Sequence, residues 1–174
     1  MRSQDHANAP DPCSIVFFSG DLNYRIDLNI NETKKMLKKG NYSTLLKFDQ
    51  LTAERSIGAV FKQGWHEGPI SFPCTYKYDL GTVDTFDTSE KQRVPAWTDR
   101  VLWHVPVRVA PRHLLERVAT KEIDDDESDE EDAIPSSSLS REHVIKQVLY
   151  TSEKRCTISD HKPVLAVFIV KNLE

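Results

Sequence analysis

The stretch VPAWTDRVL, residues 94–102, constrains the fold most. A proline opens it, Trp97 is large enough to anchor a loop, and Asp99 and Arg100 stand just before an apolar run. Two further stretches share this layout. SGDLNYRI, residues 19–26, follows the apolar run of residues 15–18, and SDHKPV, residues 159–164, leads into the apolar run of residues 164–170. Short continuous apolar runs read as buried strands. Each stretch therefore sets carboxylate, amide or imidazole groups at a strand end, where an α/β or sandwich scaffold presents its chemistry.

The intervening chain can be read in order. Residues 1–12 are expected to be an unstructured leader and residues 15–18 a buried strand, after which Gly20 permits a tight turn that leaves Asp21 and Asn23 at its end. Asn31 is the expected cap of a helix running to Lys39, with Gly40 as its stop and Met36 and Leu37 facing inward. Residues 42–48 and 52–61 read as short helices whose Leu45, Leu46, Leu51, Ile57, Val60 and Phe61 enter the core. Residues 64–73 read as a loop docked by Trp65, residues 75–78 as extended, and the polar segment to Arg93 as a loop. Residues 101–109 are strand-like, with Pro106 marking an edge or a break. Residues 144–150 resume a strand, and residues 164–170 read as a central one.

Length and composition fit one domain of 174 residues, 39% hydrophobic and 29% charged. No stretch reaches the roughly 20 apolar residues of a membrane helix, and the N-terminus lacks the apolar segment of a secretory signal. Cys13, Cys74 and Cys156 are odd in number and widely spaced, which suits a reduced, cytoplasmic setting. The net charge of −4 is dominated by residues 124–132, DDDESDEED. Without those eight acids the remainder carries +4, a balance equally consistent with an anionic ligand and with ordinary solvated lysines. Residues 122–140 have almost no apolar side chains to bury and read as a disordered acidic insert, either solvating or a docking site for a basic protein. Ser128 precedes Asp129, Glu130 and Glu131 and invites an acid-directed kinase, a modification that mass spectrometry of cellular protein would reveal.

GDLNYRI, TYKYDLGTVDTFDTSEKQRVPAWTDRVLW and SDHKPV, in this order, resemble the inositol polyphosphate 5-phosphatases, most closely their synaptojanin-type branch. That family belongs to the endonuclease/exonuclease/phosphatase superfamily. The resemblance covers residues 15–170 apart from the acidic insert. It implies a DNase I-like four-layer α/β sandwich, two sheets face to face with helices outside. Residues 13–174 correspond to the C-terminal part of that catalytic domain; its first half, which carries an asparagine and a metal-binding glutamate, has no counterpart here. A chain with this much of the fold is expected to expose sheet edges and apolar surface.

The chemistry follows residue by residue. Asp21 and Asn23 are two apart, so an extended turn can put both on one face, the carboxylate to orient water and the amide to donate to phosphate; the plain alternative is an Asx turn. The resemblance assigns these same roles. It also makes His161 the histidine on the scissile phosphate and Asp99 the carboxylate that pairs with it, fixing its tautomer and favouring its charged form. Asp160 is adjacent and is a candidate for the metal or the water; no other metal ligand is assigned. Tyr76, Lys77, Lys91 and Arg93 match the positions that hold the neighbouring 4-phosphate, a good anion cradle; their plain alternative is a solvated basic loop. Arg25 and Arg100 are expected to brace loops through carboxylates, and Pro95, Trp97 and Tyr24 to pack.

The expected function is magnesium-dependent hydrolysis of the 5-phosphate of a phosphoinositide, such as phosphatidylinositol 4,5-bisphosphate, or of a soluble inositol polyphosphate, with peripheral membrane contact open. The alternative is a catalytically incomplete fragment acting as a phosphate-binding or protein-interaction module. A nuclease of the same superfold is disfavoured by the TYKY and SEKQR segments, and no long basic stripe is present for nucleic acid.

Overall fold

A computed structural model describes residues 15–105 and 145–171. Residues 1–12, the insert at 122–140, Ser128 and Pro106 lie outside the described residues. The chain forms β1 (Val16–Asp21), α1 (Ile30–Lys38), α2 (Tyr42–Leu45), a 3-10 turn (Leu46–Phe48), α3 (Gln50–Ser56), β2 (Trp65–Glu67), β3 (Asp99–His104), β4 (Ile145–Ser152) and β5 (Val164–Val170). One antiparallel sheet has the order β1-β3-β2, and β4 and β5 form a second antiparallel pair.

Register in the first sheet fixes the site. Asp21 of β1 lies opposite Asp99 of β3, so the first two motifs end side by side. Alternation along β3 sends Arg100 and Leu102 to one face, where both are buried, and Asp99, Val101 and Trp103 to the other. Trp103 and Phe17 both meet Phe168 of β5, with ring centroids at 5.1 and 4.9 Å. The two sheets thus face each other through Asp99's side of β3, and the start of β5 brings SDHKPV across to it.

Trp97 is the anchor its sequence context suggests. It is fully buried among Ile26, Leu37, Leu45, Phe72 and Cys74, and its indole N–H donates to the Phe72 carbonyl at 3.0 Å. Pro95 is likewise buried. Tyr24 is partly buried, with Phe18, Leu22, Val60 and Phe61 around a shallow hollow.

On the other face of β3, Arg100 is held by two carboxylates. Its Nη1 donates to both Asp49 oxygens at 3.0 and 2.9 Å, and Nε and Nη2 donate to Glu67 at 2.6 and 2.9 Å. Glu67 also accepts from Arg55 at 3.0 Å and from the Tyr150 hydroxyl at 3.0 Å. Burial disfavours the Arg100 charge, but Glu67 and Asp49 outweigh it and hold the guanidinium above its ordinary pKa. Asp49 caps α3 through the Thr52 amide and bridges to Ile26. The buried guanidinium therefore ties the segment after Asp21 to the strand that carries Asp99.

Several expectations are corrected. Asn29, not Asn31, caps α1: its backbone is extended, its side chain accepts from the Glu32 amide at 2.9 Å, and its side-chain N–H donates to the Glu32 carboxylate. Gly40, at φ 67°, ends the helix as expected, and Met36 and Leu37 face the core. The helix read at 52–61 starts at Gln50 because Asp49 is its cap, and stops before Gly58, also at φ 67°. Ile57 is consequently 78% exposed rather than core, whereas Leu45 and Leu51 are buried and Leu46, Val60 and Phe61 partly so. Residues 65–67, read as loop, are a strand too short to show a period. Residues 75–78 are extended through isolated bridges, Tyr76 to Ala96 and Tyr78 to Phe86. β3 begins at Asp99, breaks off after His104, and lies in the centre of its sheet rather than at an edge.

The largest correction concerns the apolar runs. Phe17 and Phe18 are about half exposed, so β1 is not a buried strand. β5 pairs only with β4 among the described residues and is not central; Leu165, Val167, Ile169 and Val170 are half exposed. The runs carry the pattern of strands buried on both faces, but the described residues cover β1 only partly on either face and leave Leu165, Val167 and Ile169 on one face of β5 half exposed. The expected exposure of sheet edges and apolar surface is present.

Candidate active site

Asp99 is the hub. Its Oδ2 accepts from Thr75 Oγ1 at 2.8 Å, from Thr98 Oγ1 at 2.9 Å and lies 2.9 Å from His161 Nδ1. Three partners on one oxygen fix the carboxylate, and a carboxylate on Nδ1 leaves Nε2 of His161 as the nitrogen for a ligand. Both threonine side chains are fully buried. Residue 75 reaches the site because residues 75–78 run between two partners. On one side Tyr76 exchanges backbone hydrogen bonds with Ala96 at 3.1 and 2.8 Å. On the other, the Lys162 amide donates to Thr75 at 2.8 Å and the Tyr78 amide to Asp160 at 2.9 Å. TYKY is thereby held against both PAW and SDHK.

Asp21 is exposed beside Asp99 and accepts from the Asn23 amide at 2.8 Å, an Asx turn. Asn23 has φ 59°, which asparagine tolerates. Its Oδ1 accepts from Arg25, leaving the side-chain N–H groups as donors. The Asx turn and the proposed chemistry therefore coexist. Arg25 departs from expectation: instead of a carboxylate it takes Asn23 and lies 4.6 Å above the Tyr76 ring. The Tyr76 ring is also 4.6 Å from that of His161.

Lys77 donates to Asp160 at 2.9 Å. That bond, before the cost of partial burial, depresses the Asp160 pKa, and it raises that of Lys77. One oxygen of Asp160 is thus occupied by Lys77. Arg93 is near enough for its charge to act on Lys77. The loop carrying Arg93 is shaped by Asp87, which is buried and accepts from the Ser89 and Arg93 amides at 3.0 and 2.8 Å. Lys91 is exposed on the same loop. Among the described residues no three His, Cys, Asp or Glu side chains converge as a metal site.

Two groups of residues escaped sequence reading. Thr75 and Thr98 are unremarkable letters within motifs, and only the packing reveals that they converge on Asp99. Lys162 looks like a solvated base but is buried, donating to the carbonyls of Thr82 and Cys156 at 2.8 and 2.9 Å above the Tyr78 ring.

The Asp99–His161 pair lies where the two sheets face each other, with Asp21 in register beside it and Asn23 two residues further on. The family described as Endonuclease/Exonuclease/phosphatase family 2 matches residues 2–167, and the chain belongs to it. The chain is 38% identical over 162 residues to human Synaptojanin-2, covering 90% of this chain and 10% of that protein. It is 35% identical over 158 residues to mouse Phosphatidylinositol 4,5-bisphosphate 5-phosphatase A, covering 90% and 14%. Among solved structures, it resembles the inositol polyphosphate 5-phosphatase domain of spsynaptojanin, in complex with inositol (1,4)-bisphosphate and calcium, with TM-score 0.61, 31% identity, and coverage of 90% of this chain and 36% of that one. The chain thus spans about a third of the solved domain and a much smaller share of the curated relatives. The fold is the DNase I-like α/β sandwich expected from the motifs. It also resembles Cimex nitrophorin, in a ferrous NO complex, with TM-score 0.64, 26% identity, and coverage of 94% and 44%. The fold alone therefore does not select the chemistry.

Proposed function

We propose that this chain carries the substrate-holding and histidine-bearing part of an inositol polyphosphate 5-phosphatase site, acting on a phosphoinositide such as phosphatidylinositol 4,5-bisphosphate. The observation that carries this reading is the Asp99–His161 contact at 2.9 Å, with Asp21 in register beside it. In this reading His161 donates from Nε2 to an oxygen of the scissile phosphate, and Asp99 on Nδ1 fixes the ring that does so. Asp21 accepts a hydrogen bond from the attacking water and orients it. The Asn23 amide donates to a second phosphate oxygen. Tyr76, Lys77, Lys91 and Arg93 hold the 4-phosphate, with Asp160 keeping Lys77 in place. The bound inositol (1,4)-bisphosphate of the solved relative supports an inositol phosphate ligand.

Magnesium is the proposed cofactor, supplying charge neutralisation at the phosphate. Among the described residues no three His, Cys, Asp or Glu side chains converge to hold it. In the second reading this chain alone binds inositol phosphates without hydrolysing them. A cytoplasmic location, peripheral at a membrane, follows from the lipid substrate; no described helix is long and apolar enough to cross one.

Phosphate release from phosphatidylinositol 4,5-bisphosphate with magnesium, measured beside Asp99→Asn and His161→Ala, separates the readings. Release that both substitutions abolish supports the enzyme. No release, but binding of soluble inositol (1,4)-bisphosphate that Lys77→Ala weakens, supports the binding module. Neither release nor binding refutes both.

A further inference from the structure

Two apolar side chains project from the loops that frame this site. Leu80 is 69% exposed and Ile158 90% exposed. Unlike the half-exposed residues of β1 and β5, they lie on loops, where no strand or sheet face continues. Their loops are joined: the Gly81 amide donates to the Thr157 carbonyl at 2.8 Å, and the buried Lys162 ammonium bridges Thr82 and Cys156. The pair is therefore held as one feature rather than as two wandering tips.

Its position relative to the site follows from the chain. Leu80 is three residues beyond Lys77 and Ile158 two residues before Asp160, and Lys77 and Asp160 are bonded to each other. Those separations span at most about 11 and 7 Å of extended chain. The headgroup layer of one leaflet is roughly 5–8 Å deep. Side chains entering the acyl boundary would thus leave Lys77, Asp160 and His161 at headgroup level.

We propose that Leu80 and Ile158 form a wedge that inserts into a lipid bilayer and seats the site on membrane-embedded substrate. This rests on the phosphoinositide reading above. Two isolated tips fall far short of the roughly 800 Å² per partner of a specific protein interface, whereas a bilayer accepts single apolar side chains without shape complementarity. Charges nearby are engaged within the protein, Lys154 with Asp84, Arg155 with Glu153, and the Asp79 carboxylate with the Thr88 amide and hydroxyl at 3.0 and 2.7 Å, so the insertion is apolar and does not depend on anionic lipid.

The test is partition of the full chain onto pure phosphatidylcholine vesicles, without phosphoinositide. Leu80→Ser with Ile158→Ser is expected to weaken partition at least about tenfold, since even partial burial of two such side chains reaches that factor. Leu165→Ser with Val167→Ser, on β5, should change it less than about twofold. Ile158→Trp should add tryptophan fluorescence that brominated lipid quenches beyond any quenching of the native chain. Undiminished partition of the wedge variant, absence of partition by the native chain, or no such added quenching overturns the proposal. Binding of soluble inositol (1,4)-bisphosphate should be equal in native and wedge variant. Its absence from both, with vesicle binding intact, would instead sink the site reading.

Discussion

Replacing Arg100 by methionine tests the fold where it supports the site. The side chain is 1% exposed and makes four hydrogen bonds to two carboxylates. Methionine fills much of the volume but leaves Asp49 and Glu67 without their shared cation. Neither would be wholly stranded: Asp49 keeps the Thr52 amide and hydroxyl at 2.9 Å, and Glu67 keeps Arg55 and Tyr150. Removing one member of a buried ion pair costs about 3–5 kcal/mol, and these residual partners favour the lower end. Against a total stability of about 5–15 kcal/mol that is a large share. In urea the midpoint should fall by roughly 1–3 M with little change in slope. A triple variant, Arg100→Met with Asp49→Asn and Glu67→Gln, removes the uncompensated charges while asparagine still caps α3, and should recover part of the loss. A loss below about 1 kcal/mol for the single variant, or a triple variant less stable than the single, would refute this account.

Three further outcomes are expected. Trp97→Ala should cost about 3–5 kcal/mol by emptying the centre of the core, and Trp97→Phe about 1–3 kcal/mol because the Phe72 carbonyl loses its donor; equal losses in urea melts would contradict the role given to the indole N–H. The Lys77–Asp160 pair should contribute up to about 1 kcal/mol relative to Lys77→Met, being partly exposed. Asp160 is depressed, so its share is full above the unfolded value of 3.8 and lost as pH falls through the folded value; Lys77 is raised, so its share is full below 10.5 and lost as pH rises through the folded value. A stability difference that does not change across pH 2–5 would count against the pair. Finally, the apolar surface of Phe17, Phe18, Leu165, Val167 and Ile169 should drive self-association or low stability in the isolated chain. Light scattering showing a monomer, with a sharp cooperative melt, would contradict that.

Much of the site was legible because its chemistry is concentrated in short strings. Asp21, Asn23, Asp99 and His161 could be named from three motifs; pairing of β1 with β3 sets Asp21 opposite Asp99, whereas His161 reaches Asp99 only because the second sheet packs on the first. Helix ends were read less well. Asn29 and Asn31 are the same residue type two positions apart, and the cap is distinguished by the extended backbone of Asn29 and its bond from the Glu32 amide. Ile57 looked like core because apolar letters at helical spacing invite a continued helix, yet Gly58 ends it and leaves the side chain in solvent.

The sequence by itself determined which polar groups stand at strand ends, where Gly40 stops a helix, that Trp97 anchors the loop before Asp99, and the family. Those are local properties, set by spacing, turn chemistry and motif order. Only the tertiary structure decided that Thr75 and Thr98 share one oxygen of Asp99, that Arg25 lies on Tyr76, that Asp160 holds Lys77, and that Lys162 is buried between two loops. Each of these joins residues brought together by chain reversal and sheet pairing, and a side chain's partners across such a reversal leave no period or spacing along the sequence to read.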